Sequence, residues 1–305
     1  MDTHLWGIDL GGTKIEGVIL KSASDPEVFF RDRVPTEAGK GYDHIIGQIK
    51  KLVGTMTQFA GYHPTRIGFA TPGAMIPKNG LMKNCNTTAL NGMPLKKDLL
   101  KTLDCSLEIA NDANCFALAE TKLGVVHERF PNVKIIFGVI MGTGIGGGII
   151  LNGQVINGYH GIGGEWGHNY LNPSIGKPCF CGKTGCNESI LSGPALEEFY
   201  FQESGQKRDL REIAERDEEG TDRAARKTIS RLTENFGLAI SVVANILDPD
   251  VFVIGGGVGN IEKIYSDGVD AVARYIFNDC FETPVVKPSL GDSAGVFGAA
   301  FLVAG

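Results

Sequence analysis

Three glycine-rich turns, one cysteine cluster and a few carboxylates hold the residues whose types and spacing could do chemistry. Asp9-Leu10-Gly11-Gly12-Thr13-Lys14 and Gly142-Thr143-Gly144-Ile145-Gly146-Gly147 each sit between two apolar, β-branched runs, which places the glycines at hairpin tips. Glycine there lets backbone N–H groups approach an anion with no Cβ in the way. Thr13, Lys14 and Thr143 add side-chain donors for phosphate oxygens. The second turn satisfies G-x-G-x-x-G, but a dinucleotide-binding unit needs a helix after the glycines. Here GGGIILNGQVI follows, a second strand closed by an Asn-Gly turn, and the Rossmann reading is excluded. Any one turn could be a tight hairpin with no ligand. With a third at Gly255-Gly256-Gly257, a shared nucleotide accounts for them better. Asp9 directly follows an apolar strand and points into the same space, and a carboxylate beside phosphates implies a shared Mg²⁺.

Cys179, Cys181 and Cys186 crowd into eight residues, with His168 upstream. One His and three Cys form a closed, four-coordinate structural Zn²⁺ set; buried thiols beside a histidine are the alternative. The other cysteines, Cys85, Cys105, Cys115 and Cys280, stand singly among apolar neighbours and read as small buried hydrophobes, a pattern that suits a reducing compartment. Asp112 occupies the N-cap position before the helical ANCFALAETKLG, where it is either a structural cap or a general base. Glu165 and Glu188 flank a glycine-rich loop and the cysteine cluster, a poor setting for a solvated helix face.

The elements that would carry these groups alternate between strand and helix, which indicates an α/β architecture. Residues 42–60 and 221–247 keep apolar stripes of helical period, and 66–70 and 251–254 read as short buried strands. Residues 5–20 and 136–151 align glycine on glycine at Gly7/Gly138, Gly11/Gly142 and Gly17/Gly148, which suggests a duplicated hairpin heading two similar lobes. Hydrophobic residues make up 43% and charged residues 21% of 305, the composition of a globular protein with a core. A net charge of -6 argues against nucleic acid or anionic membrane as partner. No basic region precedes an apolar stretch at the start and no apolar run reaches eighteen residues, so neither a secretory leader nor a membrane span is expected.

DLGGTK, NDAN, GTGIGGG, GEWGH, CFCGKTGC, DPDVFVIGGG and GVFGAA together resemble the ROK family of sugar kinases, in the family's order and over essentially the whole chain. The resemblance implies a two-lobed actin/hexokinase-like (ribonuclease H-like) α/β fold with ATP and sugar in the interlobe cleft. It implies lobes of residues 1–117 plus 290–305 and 118–289, the second carrying the zinc loop, with adenosine near Gly255–Gly257. In the family the Asp of NDAN, here Asp112, accepts the hydroxyl proton and Asn111 binds the sugar. Glu165, His168 and Glu188 contact the sugar too, His168 also serving the metal, and Gly73 and Asn86 complete the pocket. Motif wording is nearest to bacterial fructokinases that also take mannose, because N-acetylglucosamine kinases tend to carry Phe at the Trp166 position. Ala89, however, stands where the fructokinase pattern has an aromatic. Fructose phosphorylation at the 6-hydroxyl is therefore expected, with glucose or an N-acetylhexosamine as alternatives. A cytoplasmic homodimer is implied as well. Sugar-responsive repressors of the family carry a winged helix before DLGGTK, for which Asp9 leaves no room. A non-catalytic sensor is disfavoured by the retained Asp112 and both phosphate turns.

Overall fold

Two hairpins built from the aligned segments set the architecture. The computed structural model describes residues 4–304, which group into two compact units: 4–131, 148–163 and 289–304 in one, 132–147 and 164–288 in the other.

In the first unit, β1 (Leu5–Leu10) and β2 (Lys14–Leu20) pair antiparallel, with Leu10 opposite Ile15. β3 (Val28–Pro35) extends that side. Helix α1 (Tyr42–Ala60) buries Ile45, Ile49, Leu52, Val53 and Met56, the stripe its period predicts. β4 (Arg66–Thr71) follows, and β5 (Ala74–Met75) and β6 (Met82–Lys83) form a small ribbon. Next come α2 (Leu95–Leu103), β7 (Ser106–Asn111), α3 (Asp112–Lys122) and α4 (Val125–Arg129). The sheet order is β3-β2-β1-β4-β7, with β4 parallel to both β1 and β7. Trp6, Ile8, Ile49, Leu52 and Phe69 lie in its fully buried core.

The second unit repeats the scheme. β8 (Ile135–Met141) leads into β9 (Ile145–Leu151), which leaves this unit at Gly147; its far end pairs with β10 (Gln154–Val155) in the first. Helices α5 (Glu188–Leu191), α6 (Gly193–Ser204), α7 (Leu210–Glu218) and α8 (Arg223–Leu247) come next. α8 buries Ile229, Leu232, Phe236, Ile240 and Val243 and stops at Asp248, left-handed at φ 45°, just before Pro249. β11 (Val251–Gly255), buried along its whole length, runs parallel to β8 and to β12 (Val285–Val286), with α9 (Asp267–Ala273) between them in sequence. The antiparallel-then-parallel order of the first sheet thus recurs around β8, as the aligned glycines suggest.

The division differs from a break at 117: it falls after Pro131, and 148–163 belongs to the first unit. The reason is α10 (Ala294–Phe301), which packs on α3, β1 and β4. A Cβ on Gly298 would lie 1.8 Å from the Cys115 carbonyl oxygen in α3. Because α3 is clamped there, no break can open at its middle. Gly298→Ala is therefore expected to destabilise the protein by about 2 kcal/mol or more, read as the shift in urea midpoint at unchanged slope.

Candidate active site

In the first unit the site begins at the β1–β2 turn. Gly11 N–H donates to the Lys14 carbonyl at 3.0 Å. Among the described residues no acceptor meets the N–H of Gly12 or Thr13, which leaves both for an anion. Asp9, at the end of β1, is pushed up to about 6 by burial first, then by the Asp112 and Glu16 carboxylates, with Lys14 opposing. Its carboxylate fits because residue 295 is glycine: a Cβ there would lie 2.6 Å from Asp9 Oδ2. Clustered carboxylates form a setting that Mg²⁺ would neutralise, and the N–H donors beside them suit phosphate oxygens. Lys14 lies 3.5 Å from Glu16, a buried carboxylate also paired with Arg31 and Arg33. Burial alone would raise Glu16, but the two guanidiniums hold it below the usual carboxylate range.

Asp112 opens α3 without capping it. The N-cap is Asn111, in extended conformation, whose Oδ1 accepts the Asn114 N–H at 2.8 Å. Asp112 is an exposed residue of the first turn, its Oδ1 accepting the Ala113 N–H at 2.8 Å. The expected cap is corrected by one residue, because only Asn111 has the non-helical backbone a cap requires. Asn111 consequently offers its Nδ2 rather than Oδ1 to a ligand. Gly73 packs against the Cys85 segment, a Cβ there meeting Cys85 Sγ at 2.7 Å. Burial and then the Asp112 charge raise the Cys85 thiol to about 11, so Gly73, Cys85 and Asp112 share one neighbourhood. The next residue, Asn86, is exposed. The buried member of this stretch is Thr87, whose hydroxyl has no partner among the described residues and lies 3.6 Å from where a Gly12 Cβ would stand. The sequence gives no sign of this, since only its burial sets Thr87 apart from its neighbours.

The second unit carries a glycine turn of the same kind. Gly142 N–H donates to the Gly144 carbonyl at 2.9 Å, and the N–H groups of Thr143 and Gly144 meet no acceptor among the described residues, repeating the first turn. Gly257 N lies 3.8 Å from the Cβ position of Gly142. Gly255 ends β11, and Gly256 has φ 83° with its Cβ position 2.3 Å from the Met141 carbonyl oxygen, so only glycine fits. These turns floor a cavity of ≈ 810 Å³, walled by Pro194, Val258 and the α7 residues Arg211, Ala214 and Glu215. That volume suits a nucleoside. The α7 wall escapes sequence reasoning because an amphipathic, charged helix has no motif.

Trp166, in a short turn with His168, is buried, packs edge-on against Phe137 and donates its indole N–H to the Gly146 carbonyl at 2.8 Å. Its identity therefore follows the packing beneath the Gly142–Gly147 turn. Ala89 likewise packs half-buried against the first unit's core. Glu165 is half-buried beside this turn. One ligand atom from each of His168, Cys179, Cys181 and Cys186 lies within 4.8 Å of the others. Cys181 Sγ and Cys186 Sγ are 3.5 Å apart, and His168 Nδ1 and Cys179 Sγ 3.6 Å. A tetrahedron with Zn–S bonds of about 2.3 Å has edges of ~3.8 Å, so the set fits zinc. With Nδ1 toward the cluster, His168 has Nε2 for a second contact.

Residues 5–305 match the ROK family model. The chain belongs to the ROK family. It is similar to the N-acetyl-D-glucosamine kinase of Vibrio atlanticus, 34% identical over 309 residues and covering 97% of this chain and 98% of that protein. The N-acetyl-D-glucosamine kinase of Escherichia coli is 33% identical over 306 residues, with the same coverage. In fold it matches the crystal structure of a ROK hexokinase from Thermus thermophilus, with a TM-score of 0.86, 30% identity and coverage of 97% and 96%. The fold is the two-lobed α/β fold of ROK sugar kinases. A fructokinase-like specificity finds no support in these relatives. Among the described residues no helix is long and apolar enough to cross a membrane.

Proposed function

We propose that this ROK sugar kinase transfers the γ-phosphoryl group of ATP to the 6-hydroxyl of N-acetyl-D-glucosamine, with Asp112 as general base. The observation that carries the catalytic reading is Asp112 in the first turn of α3, next to the Asn111 that caps it, with its charge among those that raise Asp9 beside the two turn N–H groups. Substrate choice rests on the two full-length N-acetylglucosamine kinase relatives. The contrary pointer, Trp166, is a packing residue.

Phosphoryl transfer needs positioning and charge stabilisation more than covalent chemistry. The N–H groups of Gly12, Thr13, Thr143 and Gly144, with the side chains of Thr13, Lys14 and Thr143, receive the phosphates. Asp9 is the carboxylate for Mg²⁺, which when bound neutralises phosphate charge. Asp112 takes the hydroxyl proton. Asn111, Glu165, His168, Glu188, Gly73 and Asn86 bind the sugar. Thr87 adds a hydroxyl at the first turn: Thr87→Val is expected to keep stability within ~1 kcal/mol, since the group is unpaired, yet lower kcat/KM about tenfold. His168, Cys179, Cys181 and Cys186 hold a structural Zn²⁺, whose role is to fix the loop and not to react.

The test is ADP release with Mg·ATP across N-acetylglucosamine, N-acetylmannosamine, glucose, mannose and fructose. A kcat/KM for N-acetylglucosamine at least about tenfold above every other sugar is expected, since a site that hydrogen-bonds an extra group discriminates strongly against its absence. Fructose as best substrate would restore the motif-based expectation, and silence on all five would remove the kinase reading.

A further inference from the structure

One side chain joins the cysteine cluster to the phosphate turn of the second unit. Glu188 opens α5 two residues on from Cys186. Its Oε2 accepts the N–H of Ile145, the residue that closes the Gly142–Gly144 turn, at 2.9 Å, and its Oε1 lies 3.8 Å from Cys179 Sγ. A Cβ on Gly144 would stand 2.9 Å from Oε2, so a glycine is needed for the carboxylate to come this near. The turn's other fastening has the same origin: Gly193 N–H donates to the Gly142 carbonyl at 2.8 Å, and Ser192 N–H to the Glu188 carbonyl at 3.2 Å. Both ends of the turn thus hang on 188–193, a segment that starts from a zinc ligand. Cys186, Asn187, Ile190 and Leu191 are buried, so this segment is packed in place beside the cluster.

We infer that Glu188 is a positioning residue that ties the Cys/His metal site to the phosphate-binding turn, so that zinc occupancy sets the affinity for the nucleotide even when no sugar is present. This rests on the kinase reading and extends it, because contact with sugar alone would give Glu188 no effect on nucleotide binding. Removing the metal frees Cys179 and Cys186, slackens α5 and releases the Ile145 N–H. The turn then has to be ordered at the expense of nucleotide binding.

The experiment is calorimetric titration of a non-hydrolysable ATP analogue with Mg²⁺ and no sugar, on zinc-loaded and chelator-stripped full-length protein, for wild type, Glu188→Ala and Glu188→Gln. Stripping is expected to raise the wild-type Kd about tenfold, the scale of one lost charge-assisted hydrogen bond. Zinc-loaded Glu188→Ala should already be weakened about tenfold, with a further change on stripping of no more than about threefold, through the Gly193 tie that the variant keeps. Glu188→Gln keeps a carbonyl acceptor for Ile145 and should stay within about threefold of wild type. Hydrogen exchange at the Ile145 amide should quicken in Glu188→Ala and in stripped wild type alike. Wild-type affinity in Glu188→Ala, or an equal effect of stripping on both proteins, would overturn the inference. If Glu188→Ala loses zinc or fails to fold, Ile145 exchange in wild type decides: protection unchanged by stripping overturns it. Failure of every form to bind nucleotide would instead overturn the kinase reading.

Discussion

Asp112→Asn is expected to lower kcat by about 10²–10⁴-fold, the usual contribution of a positioned general base, while the Kd for an ATP analogue stays within about twofold. The fold should tolerate the change. Asn111 supplies the α3 cap, and an amide keeps an oxygen for the Ala113 N–H that Asp112 Oδ1 now accepts. Nor should nucleotide binding suffer, because the Asp112 charge is one of the causes that raise Asp9, and its removal relieves that repulsion. Asn111→Ala supplies the contrast. It removes the cap and should cost about 1 kcal/mol of stability, which Asp112→Asn should not. Steady-state kinetics beside urea unfolding separates the two roles. A variant with a normal melting curve and wild-type kcat would return Asp112 to a structural place.

The second large effect is expected from the metal. Stripping zinc, or replacing Cys186 by Ser, should lower turnover at least about a hundredfold, with one zinc per chain released in the first case. The energetics are local. Cys181 and Cys186 sulfurs lie 3.5 Å apart and His168 Nδ1 3.6 Å from Cys179 Sγ, and these four residues would hold the metal. Without it the segment is left with turn and loop hydrogen bonds, among them Cys179 N–H to the Lys183 carbonyl at 2.7 Å and Asn187 N–H to the Asn169 carbonyl at 3.0 Å, and no long helix or strand ladder. Exchange protection should be lost over 166–190 and retained in β1, β4 and β7. Full turnover by protein shown to be metal-free would exclude a structural zinc.

Periodicity and spacing show those parts of the molecule whose cause is local. The two hairpins, the stripes of α1 and α8 and the Cys/His set are all visible in residue order, because each depends on neighbours a few positions away. The rest is set by groups distant in sequence. Asn111 and Asp112 compete for one cap, and only the backbone angle at the end of β7 decides between them. Trp166 is a packing residue because Phe137 and the Gly146 carbonyl, twenty and more positions earlier, receive it. Thr87 stands out only once its hydroxyl is buried without a partner. The boundary at Pro131 is hidden because it depends on α10, which reaches α3 from the far end of the chain.

The docking of α10 also has a consequence for biosynthesis. The first sheet is composed of residues 5–111, yet the helix that covers β1 and β4 is translated only after the whole of the second unit. With Gly298 against the Cys115 carbonyl and Gly295 against Asp9, no earlier segment can stand in for it. The emerging amino-terminal half must therefore wait on the ribosome, with one face of its sheet uncovered, until the whole second unit has been made. Such a chain relies on folding helpers during elongation in a way that a circularly permuted version, beginning at α10, would not.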